Sequence, residues 1–235
     1  MDRTIEVETP DGPMALFEAT PEGDRRGGVI VIQEAFGVND YIEDVARRLA
    51  GEGYHAVAPH IFHRAGGGTA PYDDWSQVLP LFEGLSDEGI LMDVDAAAAH
   101  LRDQGFTDAQ LGIVGFCFGG RVSFLVAAER SLGSAVGFYG GGIVTARFPQ
   151  FPALVERVPN LKTPWLGLFG DEDQSIPVED VEQLREALSN ASVDAEVVRY
   201  AEAEHGFHCD LRPAHHPDAA TDGWARTLRW FDGYL

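Results

Sequence analysis

The sequence predicts an α/β fold: a doubly wound, mostly parallel sheet with helices on both faces. Three observations lead there. Short continuous apolar runs recur along the 235 residues, as in strands buried on both faces. Stretches with helical periodicity separate them. No internal repeat or long linker interrupts the alternation, so a single domain over residues 1–235 is expected.

The elements follow in order. Residues 4–9 and 14–19 form a hairpin around Pro10-Asp11-Gly12. Gly28 to Gln33, with Val29-Ile30-Val31-Ile32, is the first buried strand. Asn39 or Asp40 caps a helix running to about Ala50, and Gly51 or Gly53 ends it. His55 to Ala58 is a strand stopped by Pro59, and Gly66-Gly67-Gly68 marks a surface loop. From Ser86 to Gln104 a helix places Ile90, Leu91, Val94, Ala97, Ala98 and Leu101 on one face, and Gly105 terminates it. Leu111 to Gly115 is a strand, and a helix follows from about Phe118 to Arg130. Further strands are Ala135 to Tyr139, Trp165 to Phe169 and Ala195 to Tyr200. Val178, Val181, Leu184 and Leu188 mark the helix between the last two, and a terminal helix spans about Asp218 to Phe231.

Charge excludes some partners. With 38 acidic and 17 basic side chains the net charge is −21, which argues against nucleic acid or an anionic membrane surface. No apolar run has the length to span a bilayer, so no membrane association is expected. The start, Met1 to Glu6, lacks the pattern of a signal peptide. Two cysteines, Cys117 and Cys209, make no disulfide framework, and a cytoplasmic location fits.

The chemistry concentrates at Gly115-Phe116-Cys117-Phe118-Gly119-Gly120, between an apolar strand and a helix. This is a nucleophile elbow with cysteine at the position where serine is commoner. The turn is so sharp that the residues two before and two after the nucleophile crowd one another, and glycine relieves the clash. The helix that follows points its positive end at the sulfur, and its first N–H is available to an oxyanion.

Two later segments supply partners. After the strand ending at Phe169 come Asp171, Glu172 and Asp173, carboxylates that can reach a site at that sheet edge. Asp173, just before Ile176-Pro177, is the first candidate, with Asp171 and Glu172 as alternatives. After Tyr200 comes His205-Gly206, a loop histidine suited to general-base work. Nucleophile, acid and base thus occur in the chain order of α/β-hydrolases. His208, Cys209, His215 and His216 near His205 match no closed zinc spacing, so no metal is expected.

At these motifs the sequence resembles the dienelactone hydrolase family. Four segments carry the resemblance: Gln33 to Asn39, the elbow, Asp173 to Pro177, and Glu204 to Phe207. It implies the α/β-hydrolase fold, no cofactor, and hydrolysis of a lactone ring or of other small esters. It also implies Cys117 as nucleophile, His205 as base and Asp173 as its orienting acid. Glu34 would hold the resting thiol and help activate it, the backbone N–H groups of Ala35 and Phe118 would bind the oxyanion, and Tyr139 would line the pocket. The best-known members grip a substrate carboxylate with two arginines. This chain has no Lys or Arg from Pro71 to Gly84, and Cys209 stands four residues after His205, so Arg212 or Arg121 are the available replacements.

The expected function is therefore cleavage of a small ester or lactone through a thioester, by a monomer or small homo-oligomer. Alternatives from the same residues are a general carboxylesterase of neutral esters, a redox-active thiol protein built on Cys117 and Cys209, or a binding protein that kept the fold.

Overall fold

The computed structural model describes residues 1–235. The hairpin is β1 (Asp2–Thr9) and β2 (Gly12–Ala19), reversed through Pro10-Asp11 into Gly12 at φ +114°. Six further strands follow: β3 (Gly27–Ile32), β4 (Tyr54–Pro59), β5 (Leu111–Phe116), β6 (Ser134–Phe138), β7 (Trp165–Gly170) and β8 (Ala195–Tyr200). They form one sheet in the order β1-β2-β4-β3-β5-β6-β7-β8. The pairs from β4 through β8 are parallel, while β1–β2 and β2–β4 are antiparallel. This is the predicted doubly wound architecture. Every residue of β3, β4 and β5 is buried, because helices cover both faces and leave no side of those strands to water.

The helices are α1 (Asp40–Gly51), α2 (Trp75–Leu81), α3 (Asp87–Asp103), α4 (Phe118–Glu129), α5 (Val178–Leu188) and α6 (Pro217–Tyr234). Asn39 and Ser86 cap α1 and α3 by accepting from Ile42 N and Gly89 N. Two features depart from the sequence reading. Pro217 opens α6, one residue earlier than expected, because a first-turn proline loses no intrahelical bond, and the helix continues to Tyr234. The short α2 was not anticipated. It has seven residues and an internal Pro80, so it carries no periodic signal, and its Trp75 and Leu79 are exposed. No helix is long and apolar enough to cross a membrane.

The chain crosses from one side of the sheet to the other at β3. Its sequence neighbour β4 lies on one flank and β5 on the other. A crevice at the carboxyl ends of β3 and β5 is where such sheets bind ligands. Residues 33–35 leave β3 there, and Cys117 leaves β5.

One buried carboxylate serves the scaffold instead. On β2, Glu18 Oε1 accepts from His55 Nε2 (2.8 Å) and His100 Nε2 (2.7 Å), while Arg3 donates to Oε2 (2.7 Å). Burial opposes ionisation, but these three donors outweigh it and hold the carboxyl at about 2 against an ordinary 4.5. Its folded value is depressed, so its contribution is complete above pH 4.5 and fades as pH falls towards 2. Arg3 is largely exposed, and screening discounts the contribution to about 2 kcal/mol. Glu18→Gln should therefore be less stable than wild type by that amount at pH 7 in urea unfolding. The gap should narrow as the pH is lowered from 4.5, and a gap independent of pH would show that Glu18 is bound as the neutral acid.

Candidate active site

The elbow is built as the steric argument requires. Cys117, half-buried between β5 and α4, has φ 55° and ψ −113°, one of only two non-glycine residues with positive φ. A Cβ on Gly115 would stand 1.9 Å from Gly119 O, and one on Gly119 would stand 2.4 Å from Ile32 O. Neither glycine has a positive φ, so close approach of backbone is what excludes any side chain here. Cys117 N donates to Phe138 O (3.0 Å), which ties the turn to the end of β6.

Of the three carboxylates after β7, Asp173 is the one bonded to His205. Its Oδ2 lies 2.6 Å from His205 Nδ1. Its Oδ1 accepts from Ser175 N (2.8 Å), Ser175 Oγ (2.6 Å) and Ile176 N (3.1 Å). Burial works to raise the Asp173 carboxyl, yet bonds from His205 and Ser175 and the imidazole charge bring it below its ordinary value. Asp171 is spent elsewhere, held in a fork by Arg199 at 2.7 and 2.8 Å. Glu172 contributes its backbone N–H, to Ala203 O.

His205 lies near Cys117, and because Nδ1 faces Asp173, Nε2 is the ring nitrogen left without a partner. Burial disfavours the imidazolium, but Cys117 and Asp173 together raise His205 to about 10. Ser175, which sequence reasoning did not single out, bridges Asp173 and His205 Nδ1 (3.2 Å). Its signal was the Asp-x-Ser spacing, in which a side chain turns back onto the carboxylate two residues earlier.

Glu34, the second residue beyond β3, is fully buried beneath the crevice. Its Oε1 accepts from Arg212 (3.3 Å), and its Oε2 has no partner. Burial pushes the Glu34 carboxyl up, against the pull of the Arg212 and His205 charges. No hydrogen bond joins Glu34 to Cys117. The backbone N–H groups of Ala35 and Phe118 bond to no backbone acceptor and flank the cleft that reaches Cys117.

Three further residues sit differently from expectation. Tyr139 is fully buried and lies under the His205 ring, centroids 5.1 Å apart, and is not part of the cleft wall. Its φ of 39° turns it inward at the end of β6, against Phe207. Arg212 is bonded to Glu34 and lies over the Phe36 and Tyr72 rings. Gly206 makes room for it: a Cβ there would stand 2.5 Å from Arg212 Nη1. Arg121 is buried and committed to Asp87 (2.6 and 3.2 Å) and Pro152 O (2.6 Å). Both candidate arginines are therefore already compensated.

The remaining thiol and histidines are dispersed. Cys209 is buried, 3.5 Å from Tyr72 Oη, and burial pushes its thiol up to about 11. It is not bonded to Cys117. His208 is a core residue on Tyr41 Oη (2.7 Å), pushed down to about 3 by burial, and His216 caps α6. The side chains that most resemble a metal set are Glu18, His55 and His100, whose protons and Arg3 already satisfy one another away from this edge.

The cleft above Cys117 has a volume of about 90 Å³ and mostly apolar walls. Trp75 and Phe82 come from around α2, and Phe148 and Phe151 from the loop after β6. None had a local sequence signal, because their role depends on where those segments fold back. The whole is a small pocket ending at a sulfur, beside an acid–imidazole pair and two free N–H groups.

A family model described as the dienelactone hydrolase family matches residues 14–235. A Yersinia pestis protein named "Putative carboxymethylenebutenolidase" is 42% identical over 210 residues, covering 86% of this chain and 76% of its own. A Pseudomonas putida carboxymethylenebutenolidase is 32% identical over 183 residues, covering 76% and 74%. Among solved structures, one from Klebsiella pneumoniae titled as a "Putative Dienelactone Hydrolase" superposes with a TM-score of 0.90 at 38% identity, over the full length of both chains.

Proposed function

Given that this chain belongs to the dienelactone hydrolase family and is a hydrolase of that kind, we propose that it cleaves small esters or lactones with Cys117 as nucleophile. The observation that carries the reading is the 2.6 Å bond from Asp173 to His205, which fixes the imidazole near the elbow cysteine.

The sulfur, as thiolate, attacks the carbonyl carbon. The resulting oxyanion lies against the N–H groups of Ala35 and Phe118, which are not otherwise engaged and need no rearrangement to receive it. Collapse breaks the C–O bond, and His205 Nε2 gives its proton to the leaving alkoxide, leaving a thioester on Cys117. His205 then takes a proton from water, hydroxide adds to the thioester, and the acid and free thiolate are released. Asp173 keeps Nδ1 protonated throughout. The proton that His205 Nε2 delivers is the one the Cys117 thiol gave up to it, and Glu34, which is not bonded to Cys117 and has one unpartnered buried oxygen, is proposed to assist that transfer when substrate is bound. No step calls on a cofactor.

The thioester is testable. Mixing the protein with excess 4-nitrophenyl acetate and quenching in acid should show an intact-mass increase of one acetyl group, mapped by peptide sequencing to Cys117 and removed by hydroxylamine. Acetylation confined to another residue, at a rate matching turnover, would overturn the assignment.

A further inference from the structure

Ser175 holds both members of the acid–base pair with one hydroxyl. It lies in the turn between β7 and α5, two residues beyond Asp173, and is exposed. Its Oγ stands 2.6 Å from Asp173 Oδ1 and 3.2 Å from His205 Nδ1, and bonds to nothing else. Only one proton is available to the pair of contacts on the serine side. The Asp173 carboxyl is held below its ordinary value, so at neutral pH it has no proton to give. The proton in the 2.6 Å contact is therefore the hydroxyl's own, and lone pairs are left to face the ring. The 3.2 Å contact is then attractive only when Nδ1 carries a hydrogen.

Asp173 Oδ2 makes the same demand at 2.6 Å. Two acceptors thus converge on one N–H. A single acceptor sets the distance of the imidazole but leaves it free to swing about that contact. A second one, on a different residue, also sets the plane of the ring. The ring has no other hydrogen-bond partner, and its face rests on Tyr139, centroids 5.1 Å apart.

The hydroxyl is not needed to form the turn. Ser175 N and Ile176 N donate to Asp173 Oδ1 at 2.8 and 3.1 Å, and Ile176 N also donates to Asp173 O at 3.2 Å. Those donors belong to the backbone, and any residue but proline at position 175 would keep them. What serine adds is a hydroxyl whose two contacts are both members of the triad.

We propose that Ser175 is a positioning residue for His205. Its hydroxyl donates to Asp173 Oδ1 and accepts from His205 Nδ1, and so fixes the tautomer and the ring plane that present Nε2 to Cys117. It acts through the imidazole and not on the reacting atoms. This rests on the reading of His205 as the base that Asp173 orients.

The test compares Ser175→Ala and Ser175→Thr with the wild type, by hydrolysis of 4-nitrophenyl acetate and by magnetic resonance of the His205 ring in protein carrying isotope-labelled histidine. Ser175→Ala should lower kcat about ten-fold, the size of one hydrogen bond to a charged group, with KM unchanged. Its Nδ1–H signal should move and exchange faster with water. Melting should stay as in the wild type, because the residue is exposed. Ser175→Thr keeps a hydroxyl on the same carbon and should restore both kcat and the signal. Wild-type kcat in Ser175→Ala would overturn the proposal. So would a loss that Ser175→Thr leaves unrepaired, an Nδ1–H signal unmoved in Ser175→Ala, or failure of that variant to fold, since the hydroxyl would then belong to the scaffold. Asp173→Asn separates this from the reading beneath it. A slow Asp173→Asn beside a normal Ser175→Ala removes Ser175 alone, while normal turnover in both removes the triad.

Discussion

Cys117→Ala is expected to reduce ester hydrolysis to the background of the buffer. Removing the nucleophile of a catalytic triad costs about 10⁶ in kcat, and no second nucleophile stands in this cleft. The variant should still fold. The left-handed backbone at position 117 is imposed by the glycines around it, and alanine there meets the same conditions as cysteine. Chemical modification gives an independent measurement. One equivalent of iodoacetamide should inactivate the wild type and label Cys117, while Cys209, buried and pushed up to about 11, should stay unmodified on that timescale. Cys117→Ser should fold yet turn over far more slowly, because a hydroxyl must lose its proton during attack. Hydrolysis by purified Cys117→Ala at the wild-type rate would refute the mechanism.

Asp173→Asn should lower kcat by about 10⁴, as the corresponding change does in a serine protease. The hydrogen-bond pattern explains the size. An asparagine placed here would keep its oxygen on Ser175 N and Ile176 N, the bonds that Oδ1 accepts now. Its amide N–H₂ would then face His205 Nδ1, where Oδ2 now accepts at 2.6 Å. Two donors cannot share that contact, so the imidazole would present Nδ1 as acceptor and carry its proton on Nε2. In the resting enzyme that tautomer cannot take a proton from the thiol or from water. The imidazolium would also lose one of the two groups that raise His205 to about 10, so the high-pH limb of the rate profile should move down. Asp171→Asn should disturb the Arg199 fork on the surface, and Glu172→Gln an exposed side chain, with little change in kcat for either. A large loss in Asp171→Asn with normal turnover in Asp173→Asn would mean that a different carboxylate orients the histidine in solution.

Much of this molecule was readable from local rules. Apolar runs place β3, β5 and β7 within a residue or two, because a strand covered on both faces has no polar positions to offer. Asn39 and Ser86 announce α1 and α3, because a capping oxygen must lie within a turn of the N–H it satisfies. The elbow was visible because its strain acts between residues close together in the chain. The order of Cys117, an acid after β7 and His205 follows from connectivity, since each leaves the carboxyl end of a strand.

What only the tertiary structure decided were the pairings between distant residues. Three carboxylates within Asp171–Asp173 are equivalent in sequence, and the selection of Asp173 rests on which side chain turns inward while Arg199 takes Asp171. Arg212 and Arg121 look like free cations in the sequence, yet Glu34 and Asp87, far along the chain, neutralise them. The physical reason is the range of the forces. Backbone sterics and capping act over a few residues and are written in order along the chain. Burial, ion pairing and the field at an active site depend on distances in space, and packing of the sheet and helices sets them.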